Sequence, residues 1–97
     1  MEETIHLNNL YDYYKELLTE KQKQYFEDYY QNNLTLSEIA ENNNISRNAV
    51  HKQLKETIKI LEKYEEKLKI LEKNKKIINI IKKENNKKLL EEIERVI

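Results

Sequence analysis

The sequence predicts an all-α fold of five or six helices with a helix-turn-helix at its centre. Three observations carry this. Apolar residues recur at three- and four-residue intervals from Leu7 to Val96, the spacing of one helix face. No stretch shows the sustained alternation of apolar and polar residues that marks a half-buried strand. Two segments, Thr19 to Gln22 and Thr35 to Glu38, place a hydroxyl three residues ahead of Gln or Glu, as a capping box requires. The 97 residues read as one helix-turn-helix domain over 1–73 and a helical tail over 74–97, packed on the long helix or on a dimer partner.

Each element has its own signal. Leu7, Leu10, Tyr11, Tyr14, Leu17 and Leu18 form a stripe on a first helix expected to stop near Thr19. Thr19 then caps a second helix whose inner face is Tyr25, Phe26, Tyr29 and Tyr30. Asn32-Asn33 ends it, asparagine being the non-glycine residue that best tolerates left-handed backbone. Thr35 opens a short helix with Leu36, Ile39 and Ala40 inward, broken by Asn42, Asn43 and Asn44. Ser46 caps the longest helix, whose apolar face runs from Ala49 and Val50 through Leu54, Ile58, Leu61 and Leu68 to Leu71. Leu54, Leu61 and Leu68 are seven apart, a narrow seam of coiled-coil type open to the tail or to a second copy. The helix is expected to reach about Lys73, with Asn74 as the corner. One or two further helices follow, with Asn85-Asn86 as a break.

Composition excludes whole classes of chemistry. The sequence holds no Gly, no Pro and no Cys, so a glycine-rich phosphate loop, a thiolate metal site and a thiol nucleophile are out. His6 and His51 lie far apart without a ligand-spaced partner, so no metal is expected. The carboxylates alternate with lysines at helical intervals, as solvated ion-pair faces do, and no catalytic constellation emerges. The chain is therefore expected not to be an enzyme and to need no cofactor. No more than two apolar residues stand in a row, which leaves nothing to insert in a membrane and suggests a soluble cytoplasmic protein.

The charge is zero overall but split. Residues 1–45 carry nine acidic and three basic side chains, net −6, and residues 46–97 carry nine acidic and fifteen basic, net +6. An anionic partner is thus expected to meet the second half. There the helix-turn-helix parts stand in order. Ala40 is small where two backbones approach, Asn44 fills the turn position usual for glycine, and Ile45 plugs the turn. With Val50, Leu54 and Leu61 inward, Asn48, His51, Lys52, Lys55 and Lys59 face outward and Arg47 stands at the helix start. Arg47 suits a guanine edge, Asn48 an adenine edge, His51 a base edge or solvent, and the three lysines suit phosphates. These six are the candidate nucleic-acid-binding residues. DNA is favoured over RNA, because the A-form major groove is too narrow for a helix. Tyr11, Tyr14, Tyr25 and Tyr29 are expected to pack in the core, and Tyr13 and Tyr30 to remain for surface contact.

The order and spacing of several segments resemble the bacterial YlxM family. They are the run from Tyr14 to Gln22, Tyr29-Tyr30, Leu36 to Glu41, Ile45 to Val50 and Leu61 to Leu68. The likeness covers about residues 5–72. The central part is also similar to region four of sigma factors, the part that reads promoters. The resemblance implies a small all-helical cytoplasmic protein, encoded beside components of the signal recognition particle and its receptor, with a regulatory or accessory role in that pathway. It also implies particle components as partners. Its departure from the family pattern lies at His51 and Lys52, where an aromatic and an acidic residue usually follow the Ala-Val pair. The reading of function is then a helix-turn-helix regulatory protein binding DNA through helix 46–73, as a homodimer. The alternative is an adaptor without sequence-specific DNA binding that docks on the particle's GTPase, through the acidic, tyrosine-rich first two helices, or on its RNA.

Overall fold

The computed structural model describes residues 2–84 and 87–96. Among them the chain forms six α-helices and no strand: α1 Glu2–Tyr14, α2 Glu20–Tyr30, α3 Leu36–Asn43, α4 Arg47–Leu68, α5 Ile70–Lys83 and α6 Lys87–Val96. A single 3-10 turn, Lys15–Leu17, leads from α1 to α2. The expected break at Asn85-Asn86 lies outside the described residues.

α4 is the spine. Its Val50 and Leu54 pack with Tyr25, Ile39 and Ala40, the cluster that holds α2, α3 and α4 together. About two turns on, Leu61 joins Leu7, Leu10, Tyr11, Tyr14, Phe26 and Leu71, the cluster under α1. Tyr11 stacks flat on Phe26, with ring centroids 4.4 Å apart, and so fastens α1 to α2. Leu54 and Leu61 of the heptad seam are thereby consumed inside the chain, while Leu68 is left exposed.

Three local expectations are corrected. α1 does not reach Thr19. A residue that caps a helix must hold extended backbone, and both Leu18 and Thr19 do, so the chain tightens into the 3-10 turn after Tyr14. This swings Leu18 into the core and leaves Leu17 52 % exposed. The aromatic pair of α2 is also reversed. Tyr30 is half-buried, its ring 4.8 Å from Phe26, and Tyr13 is half-buried too, whereas Tyr29 is the exposed one.

The third correction concerns the corner after the long helix. α4 stops at Leu68 rather than near Lys73, and Lys69 takes left-handed backbone with φ 53°. Asn74 lies inside α5, where its Nδ2 donates to the Tyr13 hydroxyl at 3.1 Å. The amides that open α5 find their acceptors on side chains. Glu65 accepts from Leu71 N and Glu72 N, both at 3.1 Å, and the Tyr14 hydroxyl accepts from Ile70 N at 3.3 Å. Tyr14 in turn donates to Glu65 at 2.7 Å. Burial first, and the Glu65 carboxylate second, push the Tyr14 hydroxyl up to about 12. α6 packs against α5 and buries none of its own residues.

Candidate nucleic-acid interface

The outward face of α4 is placed by two caps and one asparagine. Thr35 opens α3 with a complete capping box: its Oγ1 accepts from Glu38 N at 3.1 Å, and Glu38 Oε1 accepts from Thr35 N at 3.0 Å. The Thr35 N–H donated to it first, and the Thr35 side chain second, hold the Glu38 carboxyl below its ordinary pKa. α3 ends in the double bond pattern of a Schellman turn. Ile45 N donates to Ala40 O at 3.1 Å and Asn44 N to Glu41 O at 3.4 Å, with Asn44 at φ 54°. Ser46 then caps α4, its Oγ accepting from Ala49 N at 3.1 Å. The chain therefore turns within three residues, and Ile45 is half-buried against the α3–α4 cluster.

This geometry fixes which way α4 faces. Val50, Leu54, Thr57 and Leu61 are its buried residues. The Thr57 hydroxyl is satisfied within the helix by Gln53 O at 2.9 Å, so the face stays dry without an orphaned polar group. Arg47, Asn48, His51, Lys52, Lys55 and Lys59 are all exposed. At ~100° per residue they share a sector of about 140° that starts with Arg47 beside the buried edge and runs to Lys52 on the side opposite it. Residues 46–63 carry five basic and two acidic side chains, so the face is cationic. Among the described residues, Arg47 makes no ion pair with Glu41, and the ion pairs present lie elsewhere, at Glu16, Glu20 and Lys23 and at Glu72 and Lys76.

Arg47 also borders an open groove of about 540 Å³ that sequence reading did not anticipate. Tyr29, Tyr30, Asn33, Leu36 and Ser37 line it, and Thr4 reaches it from α1. Its walls come from four helices and the turn between α2 and α3, so no local pattern announces it. The nearest signal was the Tyr29-Tyr30 pair before a left-handed asparagine, Asn33 at φ 58°. No cluster of three or more His, Cys, Asp or Glu side chains suited to a metal occurs among the described residues. No helix there is long and apolar enough to cross a membrane.

Residues 1–96 match the family described as "Putative helix-turn-helix protein, YlxM / p13 like". Curated relatives include the UPF0122 proteins of Fusobacterium nucleatum, 46% identical over 65 residues, and Lactococcus lactis subsp. cremoris, 49% identical over 65 residues. That of Halalkalibacterium halodurans is 45% identical over 65 residues. The matched segment is 67% of this chain in each case, and 63%, 59% and 60% of the respective relatives. The chain thus spans less than two thirds of the length of these relatives. The fold built from these caps and clusters and the match along the chain agree: this protein belongs to the UPF0122 family of YlxM / p13-like helix-turn-helix proteins.

Proposed function

We infer that the chain is a non-enzymatic regulatory protein that binds duplex DNA through α4. One observation carries the reading: a helix-turn-helix presents Arg47, Asn48, His51, Lys52, Lys55 and Lys59 together on the exposed face of its second helix. In this motif the first turns of that helix enter the major groove. Arg47 and Asn48 stand there and form paired hydrogen bonds to a guanine and an adenine edge, with His51 one turn further on. Lys52, Lys55 and Lys59 neutralise phosphates and give the sequence-blind part of the affinity. His51 and Lys52 add to this face a base-edge contact and a cation where the family pattern has an aromatic and an acid. The likeness to YlxM proteins supports a cytoplasmic, accessory role in the signal recognition particle pathway.

A salt titration tests the contact. Affinity for duplex DNA falls steeply with salt, and Lys52→Ala with Lys55→Ala lowers the slope of log K against log salt by about two units. An unchanged slope removes these lysines from the interface. Parallel measurements on the particle RNA and its GTPase decide the alternative. Binding to the GTPase by the same double variant, with no binding to DNA, favours an adaptor docking through α1 and α2.

The DNA-reading form is a homodimer joined through α5 and α6. Ile77, Ile80 and Val96 are 41 %, 61 % and 84 % exposed there, and α6 buries none of its own residues. Ten-residue helices are marginal in water without tertiary packing, and a second hairpin supplies it. Twofold pairing also matches the half-site symmetry of DNA operators. Sedimentation of the parent at tens of micromolar gives twice the chain mass, and Ile80→Glu, on an exposed site, gives the chain mass. A parent that sediments as one chain removes the dimer.

A further inference from the structure

We propose that α4 and α5 are one helix held in two pieces by a clamp from α1, and that the joint at Lys69 is a two-position hinge setting the angle between the DNA-facing helix and the α5–α6 hairpin.

The sequence supplies no reason for a break there. From Lys63 to Lys83 the chain has no Gly and no Pro and is made of Lys, Glu, Leu, Ile, Tyr and Asn. The break nevertheless places Lys69, with its side chain's β-carbon, in left-handed backbone, which costs free energy for any residue but glycine. Lys69 provides no side-chain cap for α5. The whole cap comes from elsewhere. Ile70 N donates to the Tyr14 hydroxyl, Leu71 N to Glu65 Oε1 and Glu72 N to Glu65 Oε2.

The helix ladder is intact on both sides of this point. Lys69 N bonds Glu65 O at 2.7 Å and Lys73 N bonds Lys69 O at 3.0 Å. Straightening therefore exchanges three side-chain acceptors for three backbone ones, the carbonyls of residues 66–68, with no net loss of hydrogen bonds. It also relieves the left-handed residue. What holds the bend is tertiary: Leu71 is 5 % exposed in the cluster under α1, and Tyr14 is 1 % exposed beside it. Leu68 and Ile70, on either side of the hinge residue, are 46 % and 38 % exposed, so the bent form leaves two large apolar side chains in water at the joint. The two arrangements thus differ by a few side-chain contacts with α1, and Tyr14 and Glu65 are the positioning residues that choose between them.

The absence of cysteine makes the hinge directly measurable. Spin labels on Glu56→Cys and Lys82→Cys, both exposed, span the joint. A straight rod separates the two positions by about 39 Å, and any bend shortens this. With the labelled chain diluted into excess unlabelled protein, so that no dimer holds two labelled copies, the parent gives a single shorter distance. Tyr14→Phe with Glu65→Gln shifts a large share of the distribution to the long value, and adding Lys69→Gly, which makes the left-handed joint costless, shifts it back. A folded clamp variant with the parent's distance overturns the proposal, as does a long distance that Lys69→Gly fails to reverse. Should the double variant lose its helical signal, Glu65→Gln alone is read in the same way, and an unchanged distance there is equally decisive against the hinge. None of these readings depends on what α4 binds.

Discussion

Asparagine does the work of glycine in this chain. Among the described residues the structure needs left-handed backbone at three points, and the sequence has no glycine to supply it, so Asn33, Asn44 and Lys69 adopt it at φ 58°, 54° and 53°. Of these, Asn44 matters most for the interface. It closes the Schellman turn on Ala40 and Glu41 and so aims Ser46 and the first turn of α4. Asparagine tolerates this geometry better than other side chains do, but not as freely as glycine. Asn44→Ala is therefore expected to cost about 1 kcal/mol, and Asn44→Gly to stay within about 0.5 kcal/mol of the parent. Urea unfolding at constant m reads both. An alanine variant as stable as the parent shows that the turn does not impose the left-handed conformation.

At the scale of elements, legibility follows how local the cause is. Thr19, Thr35 and Ser46 each cap with an amide three residues ahead, so the starts of α2, α3 and α4 stand in the sequence itself. The exposed face of α4 was legible for a related reason: once Val50, Leu54 and Leu61 are inward, helical geometry leaves one opposite face for Asn48, Lys52, Lys55 and Lys59. The end of α4 was not. Its cause is Tyr14, 51 residues from the Glu65 it bonds, and no window of sequence contains both. Asn74 looked like a corner because asparagine often ends helices, yet here its amide serves Tyr13 from within α5. Tyr29 and Tyr30 lie ~100° apart on α2, and with both aromatic the pattern cannot say which is inward. Packing against Phe26 chose Tyr30. The groove beside Arg47 has no signal beyond the Tyr29-Tyr30 pair before Asn33, since four helices and a turn meet to form it.

The molecule as a whole is elongated, 52 × 25 × 21 Å with a radius of gyration of 16.4 Å, against ~13 Å for a compact domain of 100 residues. A shape with so little depth relies on a few ties between helices, and two of them are tyrosine hydroxyls on carboxylates. Tyr11 donates to Glu27 and joins α1 to α2, while Tyr14 donates to Glu65 and joins α1 to the α4–α5 joint. In both, burial is the main cause and the carboxylate a further one of a hydroxyl pKa pushed well above the ordinary value of 10.0. A raised pKa in the folded state means that folding favours the neutral hydroxyl. The stability it contributes is whole below about pH 10, where the unfolded tyrosines are neutral as well. It is lost as pH climbs to about 12, where Tyr14 ionises in the fold. The lysines also titrate in this range, so the test is a difference. The urea midpoint of the parent minus that of the Tyr11→Phe, Tyr14→Phe double variant should shrink steadily from about pH 10 to about pH 11.5, lysine effects being common to both proteins. A difference that stays constant across that window shows that the hydroxyls are not held in their neutral form by the fold, and that α1 is kept in place by its leucines and aromatic rings alone.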